Sequence, residues 1–192
     1  RKNLFLNYHT KLKYETLDKR YFPTKGLKTN ISYTIYTNLH TNTAYSSLAT
    51  QITKIFPITL NTFIIPTIYG RFIFNDGIPF MYSNVIGGEG YNPHYEQQIP
   101  FSGLTHTEST LKLLGNAQIQ VRHKFHEKQY LTLSGNYAIH QNQFSNFLQG
   151  KKIYGTSIGY GYDSPLGPIE GFICYSNRTN KLGFYLNIGF GF

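Results

Sequence analysis

The chain has 192 residues, of which 17% are aromatic and 14% charged, with a formal net charge of +9. Its pI is near 9.5 and its mean hydropathy is -0.33. No apolar run approaches the roughly 18 residues of a spanning helix, which excludes a helical membrane bundle. Abundant aromatic and β-branched residues exclude disorder. The charges are scattered rather than clustered, so no nucleic-acid partner is expected. Cys174 is the single cysteine, which leaves no disulfide framework and no cysteine metal cluster. No cofactor is implied. Enrichment in Tyr, Phe, Ile and Thr with 18 Gly points to an all-β chain.

The first expected strand is Leu4 to Glu15, with Leu6, Tyr8, Leu12 and Tyr14 on one side and His9, Lys11, Lys13 and Glu15 on the other. A turn follows, broken by Pro23 and Gly26. The second strand, Leu27 to Asn38, sets Leu27, Ile31, Tyr33 and Ile35 against Lys28, Asn30, Ser32 and Thr34. A short link, Leu39 to Thr43, leads to Ala44–Phe56, where alternation is weaker. After a tight turn at Pro57–Asn61 comes Thr62–Phe74. Its internal Pro66 demands an unpaired position or a bulge.

Asn75 to Glu108 is the longest irregular stretch, and loops of this length are usually functional or disordered. The next strand alternates Leu111, Leu113, Gly115, Ala117, Ile119 and Val121 with Lys112, Leu114, Asn116, Gln118, Gln120 and Arg122. Further strands are expected at Tyr130–His140, Ile153–Tyr162, Ile169–Tyr175 and Lys181–Phe192. The last reads KLGFYLNIGFGF, with Phe184, Leu186, Phe190 and Phe192 on its apolar face.

About nine strands joined by alternating short and long connections match an antiparallel transmembrane β-barrel. Lys11, Lys13, Lys28, Lys112, Arg122 and Lys124 fall on the inferred lumen face, as a solvated wall or an anion-attracting one. Tyr33, Tyr154, Tyr160 and Tyr162 fall outside, where aromatic girdles form. An odd strand count puts the two termini on opposite sides, whereas bacterial barrels have even numbers. The expectation is therefore the C-terminal part of a larger barrel, its remaining strands lying upstream of Arg1 together with any signal peptide.

Several stretches resemble one family, the bacterial surface-antigen superfamily of outer-membrane barrels. It includes the BamA-type assembly factors and the barrels that follow patatin-like phospholipase domains. LKYETLDKRYFPTKGLKTNISY is similar to its strand–turn–strand, with the turn at Pro23, Thr24, Lys25 and Gly26. YDSPLGPIEGFICYSN is similar to its late hairpin turn, with Pro165, Leu166, Gly167 and Pro168. The terminal Phe192 resembles the family's barrel-insertion signal, formed with Phe184, Leu186 and Phe190. The 75–108 loop stands where the family has an inward-folded loop.

The resemblance implies a sixteen-stranded barrel, of which this chain would be the last nine strands, in the bacterial outer membrane. It implies outer-membrane lipid and lipopolysaccharide as surroundings, the barrel-assembly machinery as an insertion partner, and a domain preceding the barrel. It leaves homo-oligomerisation open. The family loop carries Arg-Gly-Phe or Arg-Gly-Tyr, and the matching residues here follow Gly88 as Glu89, Gly90 and Tyr91. The family Arg pairs with an Asp in a Phe-x-Asp-x-Gly stretch, and the matching Leu131-Thr132-Leu133-Ser134-Gly135 puts Leu133 at the Asp position. Loss of both partners together is coherent, because losing one strands a charge. This departure points away from general barrel assembly and toward a barrel attached to a patatin-like phospholipase domain, as in Bacteroidetes-type bacteria.

Gly155-Thr156-Ser157-Ile158-Gly159 matches G-x-S-x-G, but a nucleophile elbow needs a strand, a sharp turn and a helix. Alternation runs straight through this stretch, so Ser157 reads as a lumen residue on a face of small side chains, and no catalytic residue is assigned. His123 and His126 read as facing opposite sides, and His94 as a loop residue, so no metal site is assigned. The favoured reading is a barrel that anchors, translocates or displays an N-terminal domain. The alternatives are an outer-membrane assembly factor, a lipid hydrolase built on Ser157, and a small autonomous pore.

Overall fold

The computed structural model describes residues 4–88, 97–104 and 106–189. In chain order the elements are β1 (Phe5–Glu15), β2 (Gly26–Asn38), β3 (Thr43–Pro57) and β4 (Thr62–Ile73). A 3-10 turn (Phe80–Tyr82) and three two-residue strands follow: β5 (Val85–Ile86), β6 (Gln98–Ile99) and β7 (Glu108–Ser109). Then come β8 (Leu113–His126), β9 (Gln129–Gln141), a 3-10 turn (Phe147–Gln149), β10 (Lys151–Ser164), β11 (Gly167–Ser176) and β12 (Lys181–Ile188).

The nine long strands form one sheet in the order β1-β2-β3-β4-β8-β9-β10-β11-β12. Every pairing in it is antiparallel. The chain is thus all-β and forms part of an antiparallel barrel. Among the described residues the sheet is not closed, since β1 and β12 each have one neighbour.

Alternation assigns the two faces. On the outer face, Phe56, Ile64, Val121, Leu133, Ile158, Ile173 and Phe184 are successive Cα partners from β3 to β12. They form one apolar row across seven strands, and six of the seven side chains are well exposed, from Val121 at 38% to Phe184 at 66%. On the lumen face, Thr67, Asn116, Thr132, Ser134, Asn136, Ser157 and Glu170 are all buried. Antiparallel strands that bury a polar face and expose an apolar one invert the usual soluble pattern, as transmembrane barrels do.

Pro66 lies opposite Ile119 of β8. On its other side the β3–β4 ladder breaks between Thr53↔Thr67 and Phe56↔Ile64 with no change of register. The missing proline N–H therefore sits in an unpaired stretch, and no bulge is needed.

One expectation is corrected, and one outer residue is unexpectedly covered. Leu133, matched to the lumen Asp of the family pattern, points outward and is 55% exposed. Its neighbours Thr132 and Ser134 face the lumen instead, because side chains alternate along a strand. Leu113 belongs to the outer face yet is 1% exposed. The β9–β10 connection folds over that end of the wall, with Phe144 and Phe147 packed on Phe72 at 5.9 and 6.1 Å between ring centroids. A Cβ on Gly115 would lie 3.1 Å from the Phe147 ring.

Candidate functional site: the loop-filled lumen

The connection from β4 to β8 is not wholly irregular. It builds a three-stranded sheet in the order β6-β5-β7, with β5–β6 parallel and β5–β7 antiparallel. This unit sits against the inner wall. Ile86, Ile99, Phe101 and Leu104 from the loop cluster with Leu114, Ala138 and Ile153 from β8, β9 and β10. Of the loop motif, Gly88 has φ 78, and its N–H donates to Leu104 O at 2.7 Å. Glu89, Gly90 and Tyr91, and with them His94, lie outside the described residues.

Two anchors hold the loop. At its root, the Arg71 guanidinium of β4 donates to Asn84 Oδ1 at 2.5 Å, to Ser47 Oγ and the Tyr36 hydroxyl at 3.3 Å, and to Tyr82 O at 3.3 Å. Arg71 is 4% exposed and Asn84 is fully buried. Asn84 Nδ2 donates to the carbonyls of Leu111 at 2.9 Å and Lys112 at 2.8 Å.

At the inner tip, Asn116 Nδ2 donates to Pro100 O at 3.4 Å and Gln118 Nε2 to Ser102 Oγ at 3.4 Å. The Asn136 amide, oriented by its partners, accepts from Ser102 N–H. A Cβ on Gly155 would overlap the Ser102 carbonyl oxygen. The glycine face of β10 is therefore the seat of the loop. Where the family pattern suggests an ion pair, the lumen positions Thr132, Ser134 and Asn136 carry no charge, and neutral amides hold the tip. Charge appears at the loop margins, where Arg178 Nε donates to Glu108 Oε2 at 2.9 Å and Lys112 pairs with Asp76.

Ser157 lies in mid-strand, opposite Ser134 of β9 and Cys174 of β11. No turn or helix follows it, so the pentapeptide does not form an elbow. His123 accepts or donates at Nδ1 with Thr62 Oγ1, 2.9 Å away. Among the described residues no group of three metal-ligating side chains forms.

The short turns lie together at the other end of the sheet. Gly26 has φ 122, and a Cβ there would overlap Thr16 O. Pro23 lies just before it. In the β10–β11 turn, Pro165 and Leu166 bridge Ser164 and Gly167, whose φ is 106. Pro168, the first residue after that turn, pairs with Asp163. Ser164 Oγ donates to Gly167 O at 2.5 Å and accepts from Leu166 N at 3.2 Å.

A cavity of about 150 Å³ separates the loop tip from these turns, lined by Arg20, Lys28, Gln118, Gln120, Arg122 and Glu170 among others. Sequence reading missed three residues buried on the inner side of the sheet, Phe22, Arg71 and Asn84. The one local signal is Phe22, an apolar side chain in a charged turn.

The apolar outer row, the polar inner wall and the loop folded into the lumen are on this chain's own residues. A model of the OMP85 superfamily matches residues 1–192. The chain belongs to the OMP85 superfamily. Among curated proteins none matches it. As an OMP85 protein it is of the outer-membrane β-barrel type, which the seven-strand apolar row explains physically. Phe184 and Leu186 of the expected insertion signal stand on that row's face, 66% and 54% exposed. Phe190 and Phe192 lie outside the described residues.

Proposed function

We propose that this chain forms the last nine strands of a sixteen-stranded barrel in the bacterial outer membrane. The barrel anchors an N-terminal patatin-like phospholipase domain and serves its translocation or display. The observation that carries the reading is the apolar row from Phe56 to Phe184, which suits lipid and has no use in water. Among the described residues β1 and β12 each have one neighbour, and unpaired backbone in hydrocarbon costs several kcal/mol per group, which supports further strands in the complete barrel. Outer-membrane lipid and lipopolysaccharide face the row, and the barrel-assembly machinery reads the terminal strand during insertion. The passenger assignment is supported by Glu89-Gly90-Tyr91 and by the neutral wall at Thr132, Ser134 and Asn136, which lack the charges of the assembly-type pattern.

The test is fractionation of the native, full-length protein. It is expected in outer membranes, released only by detergent, and slower on gels after boiling. Phospholipase activity is expected to survive Ser157→Ala, since the chemistry belongs to the preceding domain. A protein soluble without detergent overturns the barrel reading, and one with no phospholipase activity overturns the passenger.

A further inference from the structure

The β1–β2 turn does not simply reverse the chain at the barrel end. Phe22 folds back into the lumen and is fully buried. Its ring stacks on Tyr130 of β9, with centroids 4.3 Å apart and planes 2° from parallel. The Arg122 guanidinium of β8 lies over the same ring at 5.4 Å. Gly161 of β10 leaves the room, since a Cβ there would lie 2.7 Å from the Phe22 ring.

This seat is held against opposing costs. Phe22 has φ 45, a left-handed conformation that bulky residues avoid, and it directly precedes Pro23, which further restricts its backbone. Arg122 is 5% exposed; among the described residues no group accepts from its Nε or Nη1, and its side chain lines the lumen cavity. The same turn residues Leu17, Arg20 and Pro23 line the lumen cavity. Asp18 ties the turn together by accepting from Thr24 N–H at 2.8 Å, Thr24 Oγ1 at 2.5 Å and Lys25 N–H at 3.2 Å.

We propose that the β1–β2 turn is a latch, with Phe22 as its bolt, that closes the periplasmic mouth of the lumen over Arg122. Withdrawal of Phe22 relieves its backbone, uncovers Arg122 and joins the cavity to the periplasm. Pro100, Phe101 and Ser102 of the inward loop line the same cavity, so the latch bounds it on the periplasmic side. The inference rests on the barrel reading above.

The test uses the full-length protein in proteoliposomes with the periplasmic face outward, in a Cys174→Ser background. A membrane-impermeant maleimide reports on Gln120→Cys, which lines the cavity. Labelling is expected to be slow with Phe22 present and about tenfold faster after Phe22→Ala, as a closed-to-open shift requires. Equal rates in the two backgrounds overturn the latch. Phe22→Cys supplies a second reading that does not depend on Phe22→Ala folding. It is expected to label far more slowly than Lys19→Cys in the same turn, and equal labelling overturns the proposal. Heat-modifiable migration distinguishes the two failures. If the protein is embedded but labelling ignores Phe22, the latch fails alone. If the protein does not embed, the barrel reading fails.

Discussion

Arg71 and Asn84 hold each other reciprocally. The guanidinium donates to Asn84 Oδ1 at 2.5 Å, and Asn84 Nδ2 donates back to Arg71 O at 3.2 Å. The pair pins the root of the inward loop to β4. With Asn84→Leu, a buried guanidinium loses its closest acceptor and three carbonyls lose a donor. Destabilisation of roughly 2–4 kcal/mol is expected, from the cost of stranded buried polar groups. The check is a lower midpoint of the heat-modifiable gel shift, with new protease cleavage between residues 75 and 112.

Gly155 and Gly135 separate packing from propensity. Gly155→Ala drives a methyl into the Ser102 carbonyl, whereas a Cβ on Gly135 finds its nearest neighbour at 3.9 Å. Gly155→Ala is expected to expel the loop tip, read as faster hydrogen exchange at Phe101 and Ser102. Gly135→Ala is expected to be neutral or to stabilise by about 0.5 kcal/mol, because alanine has less chain entropy to lose in a strand. Equal behaviour of the two variants would refute this account of the seat.

Leu133 stands in the outward apolar row, opposite Ile158. Leu133→Arg is expected to cost roughly 2–4 kcal/mol, the penalty for a cation on the lipid face near mid-membrane. The expected result is loss of the heat-modifiable form. An undiminished folded fraction would place Leu133 away from lipid.

Asp18 makes the latch turn sensitive to acid. Burial raises its carboxyl pKa, but hydrogen bonds from Thr24 and Lys25 outweigh this and leave it below the ordinary value. Its folded pKa is depressed, so its contribution is fully present above the unfolded carboxylate range, near pH 4, and is lost as pH falls through the lower folded value. Exchange of the Thr24 and Lys25 amides, corrected for its intrinsic pH dependence, is expected to accelerate only in that acid window. Asp18→Asn is expected to bring the acceleration to neutral pH.

The strand positions, the hairpin partners and the division into an apolar and a polar face were all legible in the sequence. They follow from a period of two, which each residue and its near neighbours express locally. Thr156, Ile158 and Tyr160 against Gly155, Ser157 and Gly159 needed no fold to be sorted.

The contacts between distant segments were decided only by tertiary structure. A one-residue difference in reading Leu131–Gly135 moves every side chain to the other face, and it was the ladder with Ile158 that put Leu133 in the apolar outer row. The glycines of β10 mark a close approach without saying by what. Packing decided that Ser102 arrives at Gly155 and Phe22 at Gly161. Nothing near Arg71 in sequence announces Asn84, thirteen residues on, because a buried guanidinium takes whichever acceptors the folded lumen brings to it. The sequence by itself determined a sheet with an oily outside; the fold determined what fills the inside.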